Sequence, residues 1–171
     1  MITVVQAELT ELGSAGVMRS IRSDLSPVNS ASRDLAIVAG GAVTDRLESI
    51  GVLPLGGAVI TPGGNLPATF LIHVVVMTED EPQTAATVQK ALQNGLRRAS
   101  DLGLDSLALP PIGMGAGLIE PEVSARALVE FLYNHLDEGL PPQDLTIAVS
   151  SSYEVDLFSQ LVLELARDRT T

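Results

Sequence analysis

The sequence predicts an α/β layered domain with a mainly parallel sheet, on three observations. Short apolar runs alternate along the whole chain with longer segments of helical period. Several of the short runs are β-branched and almost continuously apolar, as strands covered on both faces are. Neither an internal repeat nor a low-complexity tract interrupts the alternation. At 171 residues the chain is expected to form one domain, 1–171, large enough to bury a continuous core without disulfide or metal staples.

The elements follow in chain order. Strands are expected at residues 2–5, 17–22, 57–61, 70–77, 106–109 and 145–150. A helix from about residue 33 to residue 50 is the least regular of the set, because Gly40 and Gly41 fall inside it. "TPGGNLP", residues 61–67, is a connection between two strands. Val88, Leu92, Leu96, Ala99 and Leu102 recur at spacings of three and four and mark an amphipathic helix. Val123, Ala127 and Phe131, with Leu128, Leu132 and Leu136, mark another, running from Glu122 to Glu138. "EGLPPQD", residues 138–144, ends it before the last strand. The final helix carries Val155, Phe158, Leu161, Val162 and Leu165 on one stripe, opened by Ser151 and Glu154 at capping-box spacing.

Charge and composition narrow the function. Ten Lys plus Arg against 21 Asp plus Glu give a formal charge of -11, a surface that repels the phosphate backbone of a long nucleic acid. No Cys is present, which removes disulfides, thiol catalysis and thiolate metal sites together and fits a reducing interior. The two His, His73 in an apolar run and His135 on a helix, make no metal site, so no metal and no cofactor are expected. The N-terminus shows no basic region followed by an apolar one, and the longest strongly apolar run, "FLIHVVVM", is far short of the roughly 20 residues of a membrane helix. A soluble, cytoplasmic protein with no membrane partner is expected, its oligomeric state left open.

One stretch points to a ligand. "LPPIGMGAGLIEPEVSARAL", residues 109–128, places Gly113, Gly115 and Gly117 at alternate positions just before a helix. Such a loop offers main-chain N–H groups and a helix end and little else, so it suits an anion, most simply a phosphate.

"VITPGGNLPATFLIHVV", residues 59–75, resembles a recurring signature of the macrodomain family. "VVQAELT", residues 4–10, is similar to that family's first strand and following turn. The 109–128 stretch is similar to its second ligand loop and helix, and "IAVSSSYEVDLF", residues 147–158, to its last strand and C-terminal helix. Together these cover nearly the whole chain in the family's order. The resemblance implies a three-layer α/β/α sandwich with a six-stranded mixed, mainly parallel sheet, and a cleft at the strand ends that binds ADP-ribose. One segment departs: many members carry Asn-Ala-Ala-Asn after the second strand and then a glycine-rich first loop, whereas residues 17–41 here read "VMRSIRSDLSPVNSASRDLAIVAGG".

The resemblance assigns the glycine-loop, Glu8 and Tyr153 candidates, and position near the second strand adds Arg19, Arg22, Asp24 and Asp34. Ile112, Gly113, Met114, Gly115, Ala116 and Gly117 would wrap the diphosphate and distal ribose through backbone N–H groups. Glu8, with Leu9 beside it, falls where the family has an acid that accepts from the adenine amino group; as a turn acid it would do nothing of the kind. Tyr153 stands either against the adenine or packed at the start of the last helix. Arg19 and Arg22, on the second strand, either neutralise a diphosphate or face solvent. Catalytic residues are not identified; Asp24 and Asp34 are candidates for a general base, or are a cap and a loop acid. Three functions stay open: a module binding ADP-ribose or a related adenine diphosphate metabolite, an interaction domain that keeps the fold without the ligand, and an ADP-ribosyl or O-acetyl-ADP-ribose hydrolase using a carboxylate foreign to the family.

Overall fold

The computed structural model describes residues 1–114 and 120–170. Six strands and five helices follow one another: β1 Ile2–Gln6, β2 Gly16–Arg22, α1 Ser30–Ala39, α2 Gly41–Ile50, β3 Ala58–Pro62, β4 Phe70–Met77, α3 Ala85–Asp101, β5 Ser106–Leu109, α4 Pro121–Asp137, β6 Asp144–Val149 and α5 Ser152–Asp168. All six expected strands form, within a residue or so of their expected ends. A 3-10 turn, Leu9–Glu11, follows β1 and has no signature in the sequence.

The strands build one sheet in the order β1-β6-β5-β2-β4-β3. Every neighbouring pair is parallel except β3 with β4, which the short "TPGGNLP" connection turns back on each other. Side chains alternate between the faces. Met18, Ile72, Val74, Leu107, Leu109, Leu145 and Ile147 pack under α3, α4 and α5. Val17, Leu71, Ala108 and Ala148 pack under α1 and α2 on the opposite face. The result is the three-layer α/β/α sandwich with a mixed, mainly parallel sheet.

The region between β2 and β3 is where the expectation has to be corrected. The helix expected from about residue 33 to residue 50 is two helices, and the first starts earlier, at Ser30, where the Asn29 side chain accepts from the Ser32 amide at 2.9 Å. Gly40 divides them: with φ at 96° it leaves the helical region at little steric cost, its amide closing α1 on Ala36 while its carbonyl opens α2 on Val43. No helix among the described residues is long and apolar enough to cross a membrane.

Candidate functional site

The C-terminal ends of β1, β6, β5, β2 and β4 open into a cleft of about 770 Å³, within the range of small-molecule sites and at the place where open α/β sheets bind ligands. The strand order lays out its walls. Ala7, Glu8 and Leu9 follow β1, and Ser150, Ser151, Tyr153 and Glu154 follow β6; Pro110 to Met114 follow β5 in the middle. Ser20 and Arg22 of β2, residues 28–31 leading into α1, and Met77, Pro82 and Gln83 after β4 close the other end. From β1 to β2 is three strand spacings, about 14 Å.

At the β1 end the geometry is fixed by the cap of α5. Ser151 and Glu154 form a capping box, and the Glu154 carboxylate also accepts from the Ser150 amide and hydroxyl, both at 2.9 Å. Partial burial pushes Glu154 up, but these hydrogen bonds outweigh it and leave its carboxyl below the usual range. Tyr153, 54% exposed, donates its hydroxyl to Glu122 at the start of α4 at 2.7 Å. That bond raises the phenol and lowers the Glu122 carboxyl.

In the middle, Gly113 has φ at 96°, and a Cβ there would lie 3.1 Å from Val88. Its carbonyl accepts from the Ser124 hydroxyl of α4 at 3.3 Å, and the Met114 amide closes a tight turn on Pro111. Glycine is required by the backbone here, whatever occupies the cleft. Gly115, Ala116 and Gly117 lie outside the described residues.

The β2 end contains a buried polar chain. Arg19 and His73 are register partners on adjacent parallel strands. Arg19 Nε donates to His73 Nδ1 at 2.8 Å, and Nη1 donates to the Ser32 carbonyl at 3.0 Å. Because an arginine only donates, His73 Nδ1 is unprotonated and the ring proton sits on Nε2, which donates to Thr61 Oγ1 at 2.9 Å. The Ser32 hydroxyl in turn donates to the Ser20 carbonyl at 2.6 Å. Burial pushes Arg19 down to about 10, and burial with the Arg19 charge holds His73 well below the ordinary imidazole range.

These placements sort the sequence-based candidates. Glu8, Leu9, Ile112, Gly113, Met114, Tyr153 and Arg22 come together on the cleft wall. Arg19 is corrected: at 2% exposure it points under α1 rather than into the cleft, because it shares with Val17 the face of β2 that α1 and α2 cover. Asp24 and Asp34 take the alternative that the sequence left open for them, acids at the surface and not on the cleft wall. Asp24 is exposed and accepts from the Ser26 amide and hydroxyl, which lowers its carboxyl instead of raising it as a base would need. Asp34, on α1, is half-exposed and pairs with Arg33 at 3.3 Å. Sequence reasoning missed Ser30, Ala31 and Gln83. The Asn29-x-x-Ser32 spacing was a usable cap signal for the first two; Gln83 had none.

Residues 23–128 match a family model described as the Macro domain. An uncharacterized protein of Aeropyrum pernix is 31% identical over 118 residues, 68% of this chain and 62% of that protein, so the chain spans under two thirds of that relative. An O-acetyl-ADP-ribose deacetylase of Enterobacter cloacae is 28% identical over 120 residues, 69% of this chain and 67% of its own. Among solved structures, the Oceanobacillus iheyensis macrodomain with ADP superposes with a TM-score of 0.84 at 18% identity, covering 96% of this chain and 91% of that one. At that identity the likeness speaks for the fold.

Proposed function

The chain belongs to the Macro domain family, and from that premise we propose that its cleft binds ADP-ribose or a related adenine diphosphate metabolite. The observation that carries the reading is the order of groups along the cleft: an acid and an aromatic ring at the β1 end, then the Gly113 turn, then donors at the β2 end. Adenine would lie between Glu8 and Tyr153, with Leu9 beside it. The diphosphate would lie over residues 112–114. The Oceanobacillus neighbour, which holds ADP, shares the fold that creates this cleft.

Binding, rather than hydrolysis, is the function the geometry supports. Among the described residues the cleft acids are Glu8 and Glu154, and Glu154 is committed to the cap of α5. The name of the Enterobacter relative describes that protein's reaction; Asp24 and Asp34 supply no cleft base for it here.

The test is calorimetric titration with ADP-ribose and with its inosine analogue. A Glu8 carboxylate accepts from the adenine amino group but meets the hypoxanthine carbonyl acceptor against acceptor. The adenine ligand is therefore expected to bind about five- to hundredfold more tightly, the equivalent of roughly 1–3 kcal/mol for a mismatched polar group. Glu8→Ala should narrow that gap. No heat from either ligand would remove the binding reading, and equal affinities unaltered by Glu8→Ala would remove the adenine assignment.

A further inference from the structure

The segment that leads into α1 is fixed at both ends. At one end the chain turns back after β2: the Arg22 amide donates to the Ser26 carbonyl at 2.8 Å, Ile21 and Pro27 form a bridge, and Arg22 Nη1 donates to the Pro27 carbonyl at 2.5 Å. The same turn holds Leu25 at φ 74°, a left-handed conformation that a leucine adopts only when its surroundings compel it. At the other end the Ser32 hydroxyl donates to the Ser20 carbonyl and the Ser32 carbonyl accepts from Arg19. Residues 28–31 lie between these anchors and form part of the cleft wall.

The second anchor is built in a costly way. Arg19 is a buried cation whose partners among the described residues are the neutral His73 ring and Ser32, with no carboxylate. Apolar side chains of similar volume fill such a space with equal or better stability, so stability does not account for the arrangement. Direction is what it adds. Apolar burial is indifferent to orientation, whereas hydrogen bonds fix distance and angle. The chain of bonds runs from Thr61 on β3 through His73 on β4 and Arg19 on β2 to Ser32 on α1, crossing three strands to end on one helical turn. Its three side chains stand behind the cleft wall, out of a ligand's reach.

We propose that Arg19, held by His73 and Thr61, is a positioning residue for ligand binding: it sets where residues 28–31 stand on the cleft, and thereby sets affinity without touching the ligand. The inference rests on the binding reading above and deepens it. Groups that bind have to be held within about 0.5 Å of their working positions. A misplacement of about 1 Å by a distant substitution can cost on the order of a hundredfold.

Two variants separate position from stability, because their expected orders of stability and affinity cross. Arg19→Met combined with His73→Leu and Thr61→Val fills the space with apolar side chains. It should unfold near the urea midpoint of the parent, yet bind ADP-ribose about tenfold more weakly in calorimetry. Arg19→Lys keeps a donor for His73 or Ser32 but buries a shorter, more strongly hydrated cation. It should unfold at lower urea than the triple variant and bind ADP-ribose more tightly than it. Affinities that instead follow stability, or parent-like affinity in the triple variant, would overturn the inference. Hydrogen exchange reads the position with no ligand present: the Ser32 and Arg33 amides, both bonded to Asn29, should exchange about fivefold faster in the triple variant while those of β2 and β4 keep the parent rates. Unchanged exchange at these two amides would equally count against it. No heat from ADP-ribose with the parent would remove the binding reading instead, and the exchange rates would still decide whether Arg19 positions the turn.

Discussion

At the β1 end of the cleft, Glu8 and Tyr153 stand at the surface and the Glu154 carboxylate is held by short-range bonds to residues three and four positions away. At the β2 end, the groups that shape the wall lie behind it: Arg19, His73, Thr61 and Ser32 are all less than 4% exposed and come from β2, β4, β3 and α1. The first end is organised by local sequence and can readjust one side chain at a time. The second is organised by tertiary packing, so one lost partner strands the others in a medium where an unmet polar group is costly. The difference predicts unequal sensitivity to substitution along one cleft.

The largest effect is expected at Arg19. Arg19→Ala removes a buried side chain, leaves a cavity and takes the donor from His73 Nδ1, while relieving the burial of a cation without a carboxylate partner. The net cost should be about 2–4 kcal/mol in urea unfolding. Arg19→Met combined with His73→Leu and Thr61→Val removes the three linked side chains together, leaving Ser32 bonded to the Ser20 carbonyl, and should recover most of that loss. If the single and triple variants unfold at the same urea concentration, Arg19, His73 and Thr61 do not act as a unit and the contrast between the two ends fails.

How legible each end was follows from the same distinction. The capping box of α5 and the asparagine cap of α1 are written in residues three positions apart, and the strands in runs of adjacent apolar residues. The positive-φ turn at Gly113 was announced by the alternating glycines of residues 113–117. Arg19 and His73 are 54 positions apart and meet only because β2 and β4 become parallel neighbours. Nothing local in "VMRSIR" distinguishes a buried arginine from a cleft arginine: Arg19 and Arg22 differ by three positions, an odd step on a strand, which puts them on opposite faces. Gln83 follows an acidic surface turn, and its burial depends on where α3 lands on the sheet.

A smaller effect, confined to the buried end, is the dependence of stability on pH. The native His73 pKa is depressed, by burial first and the Arg19 charge second. Below the unfolded imidazole value of about 6.5 the unfolded chain takes up a proton that the native ring refuses. The contribution is therefore complete above pH 6.5 and is lost as pH falls, at up to about 1.4 kcal/mol per pH unit, until the native ring itself protonates. Urea unfolding between pH 7.5 and 5 should show this slope, and His73→Gln should flatten it even if that variant is less stable throughout. An unchanged slope in His73→Gln would mean that other groups carry the pH dependence and that His73 is not isolated from solvent as its packing implies.

The smallest effect belongs to the exposed end, and it sharpens the comparison because its partners are chemically as good. The Tyr153 hydroxyl and the Glu122 carboxylate meet at 2.7 Å, a shorter contact than that between Arg19 and His73. Both groups nevertheless face water, which replaces either partner when the other is removed. Tyr153→Phe should leave the thermal midpoint where it was and should not change ADP-ribose affinity, since the ring that would stack on adenine is retained. Tyr153→Ala should keep the midpoint as well but weaken ADP-ribose several-fold, because only the stacking surface is lost. A thermal midpoint that falls in Tyr153→Phe would show that the α4–α5 contact is structural after all, and the two ends would then be less different than their burial suggests. An affinity unaltered in Tyr153→Ala would take the ring out of the adenine subsite and leave Glu8 alone at that end.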